Sequence, residues 1–472
     1  MERLSGLDAM FLYIETPTAH MHVTGVYLLE AGRGGLGYDA VRELLGRRLP
    51  PAGPLRRRLV DVPLGLHHPL WVEDPDFDLD YHIRRVSLPA PGGQEELADL
   101  AAEISSRALE RSRPLWELHV VEGLEGGRVG LVGKVHHAAV DGVSGAELMT
   151  TLLDLEPEPP EQEVVDTWRP EQVPPSAALV AGALAARAVQ VPRALKTAFD
   201  VFDKAVQLSR QNRAAALPPP PALFGAPRTS LNRAITAQRR VAFSTLRLED
   251  LKAVRRRFSC TVNDVVLALC AGALRSYLCD RSELPRDPIV ALVPRSVRSD
   301  GELGSHGNRV SAVLTSLATH IEDPVGRLAA VTEAMGRAKA QEEMIGSSMV
   351  RELSELGVPA VIAGTARLVS STHAFDRLRP AFNVTISNVA GPSFPLFLAG
   401  ARVVGLYPLG PVGEGAGLNI TVISYCGTLY IGLNACRETV PDPSDLSWRI
   451  SRSLEELLSA AGRPLPGGAP AP

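Results

Sequence analysis

The feature that most constrains this chain is the segment GLVGKVHHAAVDG at 130–142. Side chains alternate along an extended strand, so Val129, Leu131, Val135 and His137 share one face, and Val132, Lys134 and His136 share the other. A second apolar run, Leu118 to Glu122, and a glycine-rich turn (Gly123, Gly126, Gly127) precede it and predict a β-hairpin. His137 continues the apolar face and His136 does not. An imidazole at a strand end, aimed into an apolar interior, is held in place and partly desolvated. That suits a general base, whose best pKa lies near working pH. Asp141 and Gly142 follow at a strand-to-helix turn, where Asp141 either caps a helix beginning near Val143 or pairs with an arginine. Two other readings stand beside this one: a core histidine satisfied by a backbone carbonyl, and a metal ligand. Adjacent histidines on a strand face opposite ways, and one His with one Asp falls short of the three protein ligands of a catalytic zinc site. No metal is therefore expected.

The chain has 472 residues, well beyond the roughly 250 to 300 at which single cores stop growing, so two domains are expected. Strand and helix patterns alternate in both halves. Strands are predicted over 21–29, 118–122, 129–137, 240–246, 289–293, 310–317, 382–387, 418–424 and 428–434. Helices are predicted over 38–49, 95–109, 143–155, 249–258, 262–278 and 444–460. Residues 156–175 are loaded with Pro and Glu, 176–216 turn Ala-rich and basic, and PPPP follows at 218–221. The predicted domains are 1–160 and 236–465, with a crossover linker over 161–235 and a disordered tail over 466–472.

Lys plus Arg number 49 against 53 Asp plus Glu, a formal net charge of -4, which gives no case for nucleic-acid binding. The five cysteines contain no CxxC pair and read as reduced thiols of a cytoplasmic protein. The N-terminus lacks the apolar core of a secretory signal. The stretch from Ser176 to Val191 reads as the longest weakly polar run, and Arg187 with its many alanines leaves it short of a membrane span. It is either a domain linker or an interfacial helix docking on membranes or lipid droplets.

Several motifs carry less. GRGGLG at 32–37 matches a dinucleotide fingerprint, but no ribose-binding acid follows about 20 residues on, and it reads as a loop. The RRR runs at 56–58 and 255–257 read as solvated faces or as cations for coenzyme-A phosphates. Arg295 and Arg298 are candidates to pair with Asp141 or to gate a channel. No GxSxG elbow occurs, so a covalent serine intermediate is not expected.

HHAAVDG at 136–142 resembles the HHxxxDG motif shared by chloramphenicol acetyltransferases, peptide-synthetase condensation domains and carnitine acyltransferases. LSGLDAMFL at 4–12, PLWELHVVEGL at 114–124, NDVVLALCAGALRSYL at 263–278 and SNVAGP at 387–392 narrow the resemblance to bacterial wax ester synthase/diacylglycerol acyltransferases. The one departure noted is Ala390, where the family usually has Pro. The resemblance implies an α/β fold of two chloramphenicol-acetyltransferase-like domains with mixed sheets and a central tunnel at their interface. It implies that His137 takes the proton of a hydroxyl that attacks an acyl-CoA thioester directly, with His136 and Asp141 shaping the loop. Gly142, Pro114, Leu115, Trp116, Asn263, Asp264, Ser387 and Asn388 map onto family motifs near the site or the domain interface. The expected substrates are long-chain acyl-CoA with diacylglycerol or a fatty alcohol, in the cytoplasm or peripheral to a lipid surface. The alternatives are a condensation-type enzyme acting on another alcohol or amine, and a catalytically silent lipid-binding relative.

Overall fold

A computed structural model describes residues 1–30, 35–49, 53–139, 152–159, 169–188, 224–296, 310–345 and 359–462. Asp141, Gly142, Arg298, residues 143–151 of the expected helix over 143–155, the basic stretch beyond 188 and the tail over 466–472 lie outside them.

Two six-stranded mixed sheets dominate. In chain order the strands are β1 (Glu2–Arg3), β2 (His22–Glu30), β3 (Arg57–Val60), β4 (Leu70–Glu73), β5 (Ile83–Ser87), β6 (Trp116–Glu122), β7 (Val129–His136), β8 (Arg239–Arg247), β9 (Val290–Ser296), β10 (Val310–Ser316), β11 (Val384–Val389), β12 (Phe397–Leu398), β13 (Ala401–Leu409), β14 (Leu418–Tyr425) and β15 (Thr428–Cys436). The first sheet has the order β12-β13-β2-β7-β6-β5 and the second β10-β9-β11-β14-β15-β8; β1, β4 and β3 form a small third sheet. β5 runs parallel to β6, and β11 runs parallel to both β9 and β14. The predicted hairpin is β6–β7, and Gly123, Gly126 and Gly127 at its turn all have positive φ.

The expected strands and helices of the described regions appear with ends shifted by a few residues, as frayed ends do. The helices Pro324–Ile345 and Pro359–Ser371 and the strand β13 were not expected. β13 is the consequential one. It comes from the second half of the chain, yet it pairs antiparallel with β2 of the first sheet. The helix Gln94–Ser105 crosses the other way: it packs on β2 and β7 and also on β8 of the second sheet. The two sheets therefore share a core, in which Val241, Phe243, Tyr425 and Tyr430 pack with Val26, Leu29, Val120 and Val132.

Among the described residues, the helix over 176–188 is apolar but short, and the longer apolar helix is Val262–Asp280. It is long and apolar enough to cross a membrane, but 72% of its most apolar window is buried in the second core, against the helices Pro324–Ile345 and Pro443–Ala460. Its composition follows from being surrounded by protein on most sides.

Candidate active site

The site is built at the C-terminal end of β7. His136 pairs with His22 of β2. The His136 N–H donates to the Leu115 carbonyl at 2.9 Å, and the His137 N–H donates to the Met21 carbonyl at 2.8 Å. Strand pairing thus holds the backbone of His136 on both sides and that of His137 on the side of Met21.

The two rings have different surroundings. His136 is 1% exposed; its Nδ1 accepts the Ala138 N–H at 3.0 Å, and its Nε2 lies 3.6 Å from Glu15 Oε1. Because Nδ1 accepts, Nε2 carries a ring proton and faces the carboxylate. His137 is half-buried and stacks on Phe11, with ring centroids 4.0 Å apart and planes 14° apart. Phe11 in turn packs on a cluster of Ala19, Met21, Ile235, Val412 and Cys436, which joins residues from both halves of the chain.

The faces of β7 differ from the expectation that only one is interior. Both are covered, and the face of Val132, Lys134 and His136 is the more completely buried. The partners of Lys134, which is 1% exposed, explain how a charge is tolerated there. Its Nζ donates to the carbonyls of Ile104 and Arg107 at 2.9 Å each and to Glu117 Oε1 at 2.6 Å. The two carbonyls lie at and just past the end of the helix Gln94–Ser105, whose last carbonyls lack helical partners and favour a cation. His22 and His20 contact the Ser105 and Ser106 carbonyls of the same helix end at 3.0 and 3.2 Å. Burial lowers the pKa of both, with Lys134 adding to it at His22 and Arg239 at His20, so both rings are neutral at pH 7. Burial also lowers Lys134, and Glu117 opposes that shift. A cavity of about 350 Å³ opens beside this cluster, lined by Tyr81, Arg84, Arg107, Trp116, Glu117 and His119 among others. Glu117 and His119 face with Lys134, so this polar floor belongs to the side of the sheet away from His137.

The remaining predicted residues divide by role. Leu115 packs with Leu4, Ala9, Leu12, Tyr13 and Ala138 under the HH turn. Trp116 is buried, donates its indole N–H to the Leu55 carbonyl at 2.7 Å and stacks on His82 at 4.4 Å. Pro114 lines the cavity behind the sheet. The PLW segment is thus the packed start of β6, which carries β7. Asn263 and Asn388, 125 residues apart in sequence, meet at 3.4 Å. Asp264 is a helix cap: its carboxylate accepts the Thr261 N–H at 2.9 Å while the Thr261 hydroxyl accepts the Asp264 N–H at 3.1 Å. Ser387 sits in β11 opposite Thr421. A Cβ on Gly391, in the SNVAGP segment, would stand 2.2 Å from the Ser424 carbonyl, so only glycine fits there.

The arginine candidates are largely engaged elsewhere. Arg295 bonds Glu342. Arg57 pairs with Glu73 and Glu2, and Arg58 lies 3.3 Å from Asp74, all around the small sheet. Arg255, Arg256 and Arg257 form the last turn of the helix Leu248–Phe258, where cations are favoured by the helix dipole, and Arg256 pairs with Glu249.

Sequence reasoning missed Phe11, Glu15 and Arg111. Glu15 accepts from the Met21 N–H at 3.2 Å and from Arg111, whose guanidinium also donates to the Leu12 carbonyl at 2.9 Å. Burial would raise the Glu15 pKa, but His136 and Arg111 outweigh it and hold the carboxyl at about 2. The available signal was the segment LSGLDAMFLYIE. Ser5 and Asp8 start its helix, Gly6–Tyr13, with the Ser5 hydroxyl accepting the Asp8 N–H at 3.1 Å.

Known proteins resemble this chain over nearly its whole length. The family model described as wax ester synthase/diacylglycerol acyltransferase catalytic domain matches residues 4–266, and that described as its C-terminal domain matches 306–458. A Mycobacterium tuberculosis protein bearing the name "Probable diacylglycerol O-acyltransferase tgs2" is 37% identical over 98% of this chain and 100% of its own length. The solved wax ester synthase/diacylglycerol acyltransferase of Marinobacter aquaeolei VT8 superposes with a TM-score of 0.68 at 29% identity, covering 98% of this chain and 100% of that one. The starter condensation domain of rhizomide synthetase RzmA, solved as a point variant in complex with C8-CoA, shares the fold with a TM-score of 0.52 at 14% identity over 98% of this chain and 95% of that one.

Proposed function

The chain belongs to the wax ester synthase/diacylglycerol acyltransferase family and is an acyltransferase; on that premise we propose that it moves a long-chain acyl group from acyl-CoA to the hydroxyl of diacylglycerol or a fatty alcohol, with His137 as the general base. The observation that carries the assignment is the contrast between the paired histidines. His136 is sealed in the core between the Ala138 N–H and Glu15. His137 presents a half-buried ring, held flat by Phe11, beside residues of both halves.

The reaction balances without an acyl-enzyme. The imidazole accepts the hydroxyl proton as the alcohol oxygen attacks the thioester carbonyl. The tetrahedral intermediate then expels the thiolate, and the imidazolium returns its proton to that sulfur. Asn263 and Asn388 supply amide donors as candidates for the oxyanion. We take the functional halves to be 1–160 and 236–465, joined by 161–235, with β12 and β13 exchanged into the first sheet. A channel between them would admit the two substrates. Because both lipid alcohols are insoluble in water, we place the enzyme in the cytoplasm at a membrane or lipid surface.

Purified protein incubated with labelled palmitoyl-CoA and either diacylglycerol or hexadecanol should form the ester. H137A should lose at least about 100-fold, the lower bound for removing a positioned general base. Wild-type rates in H137A would refute the assignment, and failure of the native chain to esterify either alcohol would refute the substrate class.

A further inference from the structure

Glu15 reaches the neighbours of His137 from two directions, through one peptide N–H and one imidazole. Its Oε1 accepts the Met21 N–H at 3.2 Å, and the Met21 carbonyl is the acceptor for the His137 N–H at 2.8 Å. The same Oε1 lies 3.6 Å from His136 Nε2, and the far side of that ring takes the Ala138 N–H at 3.0 Å. One carboxylate oxygen is therefore linked to residue 21, across the strand from His137, and to residue 136, just before it in the chain. The other oxygen is held by Arg111, whose guanidinium also donates to the Leu12 carbonyl. Four residues upstream of Glu15, Phe11 lies flat on the His137 ring. The helix Gly6–Tyr13 and the loop after it thus supply both the plate on which the imidazole rests and the charge that pins the backbone beneath it.

We propose that Glu15 and Phe11 are positioning residues for His137: Glu15 fixes the position of its backbone through Met21 and His136, and Phe11 fixes the plane of its ring. The physical need is clear. A base accelerates proton transfer only when it sits within hydrogen-bond reach of the hydroxyl, and misplacement by about 1 Å costs about 100-fold. His137 directly follows the last residue of β7, where ladder pairing ends on one side. Such a position requires support from outside the strand. A carboxylate shared by an arginine, an imidazole and a peptide N–H is rigid because its partners hold it from several directions at once.

This role rests on His137 being the base, and the experiment separates the two. Steady-state kcat and KM for palmitoyl-CoA are measured for the native chain, E15A, E15Q, F11L and H137A, with thermal melting of each. Glutamine keeps the shape of Glu15 and an acceptor for Met21 but removes the charge that faces His136 and Arg111. E15A and F11L should lower kcat by about 10- to 100-fold, with KM within about twofold, and E15Q should fall between them and the native chain. If E15A does not fold, E15Q decides. An E15Q or F11L kcat equal to that of the native chain, or a loss carried by KM, would overturn the positioning role while H137A is inactive. Activity retained in H137A would instead remove the base assignment on which the role depends.

Discussion

Burial of ionisable groups around the HH turn sets how this protein responds to acid. Burial by itself would raise Glu15 and Glu117, but neighbouring cations and imidazoles outweigh it and hold both at about 2, against an ordinary value near 4.5. A depressed carboxyl stabilises the fold above its unfolded pKa, and that stability is lost as pH falls through the folded one. Both groups therefore contribute stability at neutral pH that is lost as pH falls from about 4.5 to about 2. His20, His22 and His82, kept neutral by burial, begin the loss earlier, as pH drops below their ordinary 6.5. Melting temperature followed from pH 7 downward should therefore fall in two stages, and E15Q should flatten the lower one. A melting curve for E15Q that parallels the native chain below pH 4.5 would show that Glu15 carries no such linkage. The proposed base was legible in the sequence because HHAAVDG is local. Glu15 and Phe11 were not, because their importance lies in contacts made across more than 100 residues of chain.

Individual elements start and stop where local chemistry dictates. Thr261 and Asp264 form a reciprocal cap at the head of the helix Val262–Asp280, so the Asn-Asp pair divides its duties. Asp264 anchors the helix, and Asn263, one residue earlier, is thereby presented to Asn388 of β11. T261A should cost about 1 kcal/mol, read as a lower midpoint in chemical denaturation. An unchanged midpoint would mean that the cap is replaced by solvent. The cap could have been read from T-V-N-D, which has the spacing of a capping box. The helix Pro324–Ile345 escaped prediction because alanines and charged residues dilute its apolar stripe, leaving no clear period.

At the scale of the molecule, β12 and β13 tie the two sheets together. The Tyr425 hydroxyl of β14 donates to the Val403 carbonyl at 3.0 Å and accepts the Leu396 N–H at 2.8 Å. The Tyr430 hydroxyl of β15 donates to the Val404 carbonyl at 2.8 Å. The backbones approach so closely that a Cβ on Gly432 would stand 2.0 Å from the Pro408 carbonyl. Y425F removes one partner from each of two main-chain groups, the Leu396 N–H and the Val403 carbonyl, and should destabilise the chain by about 1 to 3 kcal/mol. Equal stability of Y425F and the native chain would show that this junction adds nothing to the union of the sheets.

The hairpin, the histidine pair at its end, most of the helices and strands, and the family to which they belong can all be read from the order of the residues. All of these are carried by residues close together in the chain, where period, turn chemistry and motif spacing act directly. Packing in three dimensions is what makes a strand from the second half complete the first sheet, brings Asn263 to Asn388, and carries a glutamate near the N-terminus to the histidine turn. Contacts of that kind depend on which surfaces bury one another after the elements form, and no local pattern records that choice.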